Sequence, residues 1–207
     1  MTGIWRPRAV LFDCDGTLMD TEPGLRRAKA DTLARHGLVA TEALHLRMTG
    51  RSLADIAAVM AEALGRRHLA PRLSAELLTA CVARAHDALP LPGALHLLKI
   101  VGDRVPTAVV SNAPRVLLHA TLAAGGLSSA FGAVVSEDDV AAPKPAPDPY
   151  LRACALLRVR PDQAVAFEDS PVGLAAAAAA GVTAVHVTPD NPLDAPALLA
   201  WTRSWAA

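Results

Sequence analysis

Two aspartates separated by one residue are the first feature of this sequence that could carry out chemistry. They lie in the segment Asp13-Cys14-Asp15-Gly16-Thr17, directly after an apolar run. Side chains two residues apart in an extended chain share one face and lie roughly 7 Å apart, so one carboxylate can reach a phosphorus atom while the other reaches its leaving oxygen. The spacing predicts a nucleophile and a general acid acting on one phosphate ester, with Gly16 permitting the turn that follows.

Three further polar segments follow apolar runs, namely Ser111-Asn112, Pro143-Lys144-Pro145 and Glu168-Asp169-Ser170. Acidic groups brought together repel one another unless a cation neutralises them. Oxygen ligands without a His/Cys set at zinc spacing favour Mg²⁺ over Zn²⁺. Lys144 would add positive charge, and the two flanking prolines predict an extended backbone around it.

These segments need a scaffold that brings them together, and five short apolar runs predict its strands. The runs are Ala9 to Phe12, Val105 to Val110, Ala133 to Val135, Ala164 to Phe167 and Ala184 to Val187. Helical patterns lie between the later runs, at Pro114 to Ala124, Pro149 to Leu157 and Pro171 to Ala180. This alternation predicts an α/β fold with a doubly wound parallel sheet, in which ligands bind at the carboxyl ends of the strands.

Residues 19–89 interrupt the alternation, because they contain apolar stripes of helical period and no strand pattern. Ser52, with Asp55 three positions on, predicts the start of one of these helices. A stretch rich in Pro and Gly at 90–93 marks the end of the segment. We therefore expect an α/β core domain formed by residues 1–18 and 90–207, with a helical cap domain at 19–89.

Composition restricts the partners of the protein. The 207 residues contain 20 Lys+Arg and 20 Asp+Glu, which predicts no nucleic-acid or membrane partner. The cysteines at 14, 81 and 154 form no C-x-x-C motif, and no apolar run approaches the roughly 18 residues of a membrane span. We expect a cytoplasmic monomer or weak dimer.

The polar segments resemble, as a set, the four motifs of the haloacid dehalogenase superfamily. They are Phe-Asp-Cys-Asp-Gly-Thr-Leu at 12–18, Ser-Asn at 111–112, the lysine of Pro-Lys-Pro-Ala-Pro at 144, and Glu-Asp-Ser-x-x-Gly at 168–173. All four occur in order and span nearly the whole chain. The similarity is greatest to the phosphatase and β-phosphoglucomutase branch, and it implies a Rossmann-like core with an inserted helical cap.

The resemblance also implies roles for individual residues. Asp13 would attack phosphorus and form an aspartyl-phosphate, and Asp15 would protonate the leaving oxygen and then activate water. Ser111 would hold phosphoryl oxygens, and Lys144 would stabilise their charge.

Further residues would bind the metal and the substrate. Mg²⁺ would be bound by Asp13, by the carbonyl of Asp15 and by Asp169, with Glu168 acting directly or through water. The candidates for binding phosphate or substrate are Gly16, Thr17, the amide of Asn112, and Arg51, which could reach a substrate anion from the cap.

Several alternatives remain open. A dehalogenase is disfavoured, because it would need neither Asp15 nor the acidic pair at 168–169. The mutase branch carries a histidine in its first cap helix, where this chain has Gly24 and Leu25. A phospho-acceptor signalling domain also uses acids, a hydroxyl and a lysine at strand ends, but has less use for Asp15. The resemblance therefore implies a Mg²⁺-dependent phosphatase for a small phosphorylated metabolite, namely a sugar phosphate, a sugar-acid phosphate or a phosphoglycolate-like compound, with a phosphoglucomutase-type phosphotransferase as the alternative.

Overall fold

The computed structural model of the chain describes residues 6–49 and 51–205. The strands are Ala9–Phe12 (β1), Met19–Asp20 (β2), Leu89–Pro90 (β3), Thr107–Val110 (β4), Ala133–Val135 (β5), Ala164–Glu168 (β6) and Thr183–His186 (β7). The α-helices are Glu22–Arg35 (α1), Glu42–Met48 (α2), Leu53–Ala63 (α3), Ala70–Ala83 (α4), Ala94–Gly102 (α5), Arg115–Ala124 (α6), Asp148–Leu157 (α7), Pro171–Ala179 (α8) and Pro196–Arg203 (α9).

Five of the strands form one parallel sheet in the order β5-β4-β1-β6-β7. The central strand β1 pairs with β4 on one side and with β6 on the other, so that Phe12 lies opposite both Val109 and Phe167. Every residue of β1, β4 and β6 is buried, as is usual for parallel strands, whose faces are covered by other elements. The sheet confirms the predicted α/β fold and places the carboxyl ends of three neighbouring strands at one edge.

Helices α7 and α8 cover one face of this sheet. Leu11 of β1 and Val110 of β4 share a core with Ala153 of α7 and Ala176 of α8. Pro149 lies in the first turn of α7 and Pro171 begins α8, where a fixed φ and a missing N–H do not disturb the helix. These two helices therefore support the strand ends that carry the polar segments.

The predicted elements differ from the structure at a few boundaries. Strand β4 begins at Thr107, and the predicted Val105 lies outside it because Pro106 has no N–H for the ladder. The prediction of no strand in residues 19–89 is wrong at its two ends, where β2 and β3 pair antiparallel. Two residues per strand are too few to show a period of two. Helices α5 and α9 are present in the structure but are not among the helices predicted above.

The helices α1 to α4 belong to a compact unit of their own, residues 21–88. The remaining described residues, up to Asp20 and from Leu89 on, form the second unit, which contains the sheet. Within the helical unit α3 and α4 pack together, burying Ile56 and Met60 with Leu73 and Leu77. The role of this unit as a cap stays a prediction, and residues 1–5 and 206–207 of the predicted core domain lie outside the described residues.

No helix within residues 6–49 or 51–205 combines the length and the apolar character needed to cross a membrane.

The predicted cap at the start of α3 is present, since the hydroxyl of Ser52 accepts a hydrogen bond from the N–H of Asp55 at 3.1 Å. We expect Ser52→Ala to lower the free energy of unfolding by about 1 kcal/mol, because a first-turn N–H then loses its partner. Ser52→Thr keeps a hydroxyl at the same place and should lose less. Urea denaturation of the three proteins measures the difference, and equal stabilities of Ser52→Ala and wild type would contradict the capping role.

Candidate active site

The predicted catalytic side chains come from adjacent strands. Asp13 follows β1, Ser111 follows β4, and Glu168 and Asp169 lie at the end of β6. Lys144 lies in the loop between β5 and α7. Because β1 lies between β4 and β6 and all three run in one direction, their carboxyl ends bring these residues to one edge of the sheet.

The ammonium group of Lys144 connects these strand ends. Its Nζ donates hydrogen bonds to Oδ1 of Asp13 at 2.7 Å, to the carbonyl oxygen of Val110 at 2.9 Å and to Oε1 of Glu168. These three bonds use all three hydrogens of the ammonium. The lysine side chain is 3% exposed and those of Asp13 and Glu168 are 10% and 0% exposed, so the ion pairs are nearly shielded from water.

Burial and the neighbouring negative charges act in opposite directions on the pKa of Lys144. Burial lowers the pKa of Lys144, but the carboxylates of Asp13 and Glu168 outweigh it, so the pKa lies above its ordinary value. Lys144 is therefore a fixed positive charge at neutral pH, aimed at the predicted nucleophile.

The side chain of Asn112 holds the backbone of Lys144. Its Nδ2 donates to the carbonyl oxygen of Lys144 at 2.9 Å, and its Oδ1 accepts from the N–H of Lys144, also at 2.9 Å. The N–H of Ala146 bonds the carbonyl of Pro143 and closes a turn that includes a cis Lys144–Pro145 peptide bond. The predicted extended backbone at Lys144 stays a prediction.

Three carboxylates lie close enough together to hold a metal ion. Asp13, Glu168 and Asp169 offer oxygens that lie within 4.8 Å of one another. Burial raises the pKa of Asp13, against the opposing charge of Lys144. Burial and the nearby charge of Glu168 also raise the pKa of Asp169. A divalent cation would relieve this repulsion, and an all-oxygen donor set suits a hard cation such as Mg²⁺.

Two glycines give these carboxylates the space they occupy. A Cβ built on Gly16 would lie 2.2 Å from Oδ2 of Asp169, and one built on Gly173 would lie 1.9 Å from Oε1 of Glu168. Gly16 also has φ +88°, in the left-handed region that glycine adopts most readily. Both positions therefore need glycine for the acidic groups to keep their places.

The other predicted residues of the first motif make contacts across the site. The hydroxyl of Ser111 donates to Oδ2 of Asp15 at 3.0 Å and accepts from the N–H of Ala113 at 2.9 Å. Thr17 is fully buried, and its hydroxyl lies 3.5 Å from Oδ1 of Asp169. Ser111 thus orients the predicted general acid, while Thr17 faces a predicted metal ligand.

Two residues that are not among the predicted site residues hold Glu168 in place. The hydroxyl of Tyr150 donates to its Oε1 at 2.6 Å, and that of Ser170 donates to its Oε2 at 3.1 Å. Ser170 also caps α8 by accepting from the N–H of Gly173. A signal for Tyr150 was present in the sequence, since a tyrosine on the buried face of a helix needs a partner for its hydroxyl.

Arg51 lies in the helical unit, before α3. Its Nε donates to the carbonyl oxygen of Arg47 at 2.7 Å. Its predicted contact with a substrate anion stays a prediction.

Replacing Gly16 by alanine tests the close packing of the acidic cluster. The new Cβ would displace the carboxylate of Asp169, so we expect Gly16→Ala to weaken Mn²⁺ binding, measured by electron paramagnetic resonance, by about 10-fold or more. Gly37→Ala is the matched control, because Gly37 also has positive φ (+80°) but no described atom within 4 Å of a built Cβ. Equal loss of Mn²⁺ affinity in the two variants would contradict the packing argument.

Comparison with known proteins adds independent evidence to this geometry. Residues 7–181 match the family model of the haloacid dehalogenase-like hydrolases. The chain is 34% identical over 194 residues to validoxylamine A 7'-phosphate phosphatase of Streptomyces hygroscopicus subsp. limoneus, covering 91% of this chain and 89% of that protein. It is 36% identical over 186 residues to fructose-1-phosphate phosphatase YqaB of Escherichia coli strain K12, covering 88% of this chain and 97% of that protein.

A solved structure shows the same architecture. CbbY from Rhodobacter sphaeroides, crystallised in complex with phosphate, superposes with a TM-score of 0.76 at 26% sequence identity, covering 91% of this chain and 89% of that one. The family match, the sequence relatives and the fold agree with the four motifs. The chain therefore belongs to the haloacid dehalogenase-like hydrolases, in the phosphatase branch of that family.

Proposed function

We propose that this enzyme is a Mg²⁺-dependent phosphatase that hydrolyses a small phosphorylated metabolite through an aspartyl-phosphate on Asp13. The observation that carries the proposal is the hydrogen bond of 2.7 Å between the buried Lys144 ammonium and Asp13. A buried cation at a carboxylate favours its ionised, nucleophilic form and provides positive charge where phosphoryl oxygens gather.

Asp13 acts as the nucleophile. Lys144 engages Oδ1, so Oδ2 is the oxygen that attacks phosphorus as the bond to the ester oxygen breaks. In the second half of the reaction, water attacks the same phosphorus and the bond to Oδ2 breaks, which releases phosphate and restores the carboxylate.

Asp15 carries the proton between the two halves. It gives its proton to the departing alkoxide, and as a carboxylate it then takes a proton from the attacking water. Ser111 supports this role, since its hydrogen bond to Oδ2 restricts the rotation of the Asp15 carboxyl group. The backbone amide of Asn112 follows β4, where it can donate to a phosphoryl oxygen. The Ser111 hydroxyl has one hydrogen, so it donates to a phosphoryl oxygen only when that hydrogen turns away from Asp15.

The residues present fit a magnesium site. We assign its ligands to the carboxylates of Asp13 and Asp169 and to the backbone carbonyl of Asp15, with Glu168 acting through water because Lys144, Tyr150 and Ser170 already engage its oxygens. When bound, Mg²⁺ would neutralise charge on the phosphoryl group and orient it. Gly16 and Thr17 border this site, Gly16 by leaving room for Asp169 and Thr17 by facing it.

The comparisons support the substrate class. Two relatives are named as phosphatases, one for fructose 1-phosphate and one for validoxylamine A 7'-phosphate, and the CbbY structure is a complex with phosphate. We extend the class to sugar phosphates, sugar-acid phosphates and phosphoglycolate-like compounds. The helical unit would act as the cap, with Arg51 binding an anionic part of the substrate. A cytoplasmic location is consistent with a sequence whose three cysteines form no C-x-x-C motif.

The Asp13→Asn variant tests the nucleophile. An amide is a poor nucleophile, so we expect kcat to fall by about 10³-fold or more while the circular dichroism spectrum is unchanged. Phosphate release from a panel of sugar phosphates, sugar-acid phosphates and phosphoglycolate, with and without Mg²⁺, measures the effect.

Asp162→Asn is the matched control, because Asp162 is exposed and pairs with Arg160 before the start of β6, at the end of the strand opposite to the site. Substantial hydrolysis by Asp13→Asn would contradict the assignment. Stoichiometric labelling of wild type without repeated turnover would favour the phospho-acceptor alternative.

The raised carboxyl pKa values predict how pH and Mg²⁺ act together. In the metal-free protein the pKa of Asp13 and that of Asp169 lie above the ordinary 3.8, so the folded state binds their protons more tightly than the unfolded chain does. This stabilisation is complete below pH 3.8 and is lost as pH rises through the folded pKa values. Mg²⁺ needs ionised ligands, so the increase in Tm that it produces should be larger at pH 8 than at pH 5.

Thermal unfolding with EDTA or with Mg²⁺ at the two pH values measures this. Mg²⁺ at 100 times its Kd should add about 2.7 kcal/mol at pH 8. Asp169→Asn should remove most of the gain. An equal gain at both pH values, or one that persists in Asp169→Asn, would contradict the proposed ligands.

A further inference from the structure

Tyr150 touches both members of the buried ion pair at the site. Its side chain is fully buried on α7, six residues after Lys144. Its hydroxyl donates to Oε1 of Glu168 at 2.6 Å, and its ring centroid lies 5.2 Å from Nζ of Lys144. The phenol therefore provides a hydrogen bond to the anion and a π face to the cation.

The carboxylate of Glu168 is held from two sides. Oε1 accepts from Tyr150 and Lys144, while Oε2 accepts from the hydroxyl of Ser170. A fully buried carboxylate is tolerated only where such donors replace water. With donors on both oxygens, the carboxylate has one favourable orientation, which directs Oε1 toward Lys144.

The position of Glu168 determines how Lys144 meets Asp13. The three acceptors around Nζ are Oδ1 of Asp13, Oε1 of Glu168 and the carbonyl of Val110. The carbonyl belongs to the backbone of β4 and is fixed by the sheet. A shift of Oε1 would therefore rotate the ammonium and alter the hydrogen bond to Asp13.

We propose that Tyr150 is a positioning residue, which anchors Glu168 and through it aims the ammonium of Lys144 at the nucleophile Asp13. In this arrangement Glu168 is the structural counter-ion of Lys144. The proposal rests on the proposed function for what Asp13 does, but the hydrogen-bond chain from Tyr150 to Lys144 can be tested without turnover.

Tyr150→Phe removes only the hydroxyl and keeps the ring that packs beside Lys144. We expect kcat to fall roughly 10- to 100-fold while KM changes less than about 3-fold, because misplacing a charge at the reacting atoms affects the transition state more than substrate binding. Thr107→Val is the matched control. It removes another buried hydroxyl, which bonds the carbonyl of Ala130 at the opposite end of β4, and it should keep wild-type kcat.

A double-mutant cycle separates positioning from simple packing. If Tyr150 acts through Glu168, then Tyr150→Phe combined with Glu168→Gln should lose no more kcat than Glu168→Gln alone. Multiplicative losses in kcat would overturn the proposed chain.

Nuclear magnetic resonance tests the chain independently of activity. The sequence contains three lysines, at 29, 99 and 144, so ¹⁵Nζ labelling gives few signals, and Lys144→Arg identifies the one from Lys144. We expect that signal to shift in Tyr150→Phe and to stay in place in Thr107→Val. An unmoved Lys144 signal together with kcat within 2-fold of wild type would overturn the proposal and leave Tyr150 as a packing residue.

A second label covers the case in which Tyr150→Phe does not fold. Tyr150 is the single tyrosine of the chain, so ¹³Cζ-tyrosine gives one signal, which should shift in Glu168→Gln. No shift would contradict the Tyr150–Glu168 contact. If wild type releases phosphate from no substrate of the panel, the proposed function fails, while both resonance experiments still decide the role of Tyr150.

Discussion

A single buried ammonium group organises the site. Lys144 lies between Asp13 and Glu168 with its third hydrogen on the carbonyl of Val110, and almost no water reaches the group. Each of these charges alone would be costly to bury, so the arrangement is stable only when all the partners are in place. The sheet meets this condition because β1, β4 and β6 are neighbours and end together.

The site accommodates a third acidic group at close range because two neighbouring residues are glycines, which have no Cβ atom. Gly16 and Gly173 leave room that any Cβ would fill, and Asp169 and Glu168 occupy that room. The result is a concentration of negative charge that one lysine only partly balances. Burial raises the pKa of Asp13 and that of Asp169, and the nearby charge of Glu168 adds to this effect. The excess of negative charge suits a divalent cation, and the fixed positive charge of Lys144 suits a phosphoryl group that binds together with that cation.

Much of the fold could be predicted from periodicity. The runs that became β1 and β5 matched the structure at both ends, because strands whose residues are all buried or partly buried appear in sequence as continuous apolar runs bounded by turn residues. The cap of α3 at Ser52 was also predicted, since a capping hydrogen bond spans only three residues. The β2–β3 pair escaped prediction because it joins two dipeptides about 70 residues apart, and neither shows a strand pattern by itself.

The sequence by itself determined which side chains lie at the carboxyl ends of the strands, because the polar segments follow apolar runs along the chain. Parallel strands end at one edge of the sheet whatever their order, so these side chains share that edge. Only the tertiary structure decided which of those side chains touch. The contacts Lys144 to Asp13, Asn112 to Lys144 and Tyr150 to Glu168 join residues 131, 32 and 18 positions apart. Hydrogen bonds need their atoms placed to within a fraction of an ångström, and that placement comes from the packing of strands and helices, which local sequence patterns do not record.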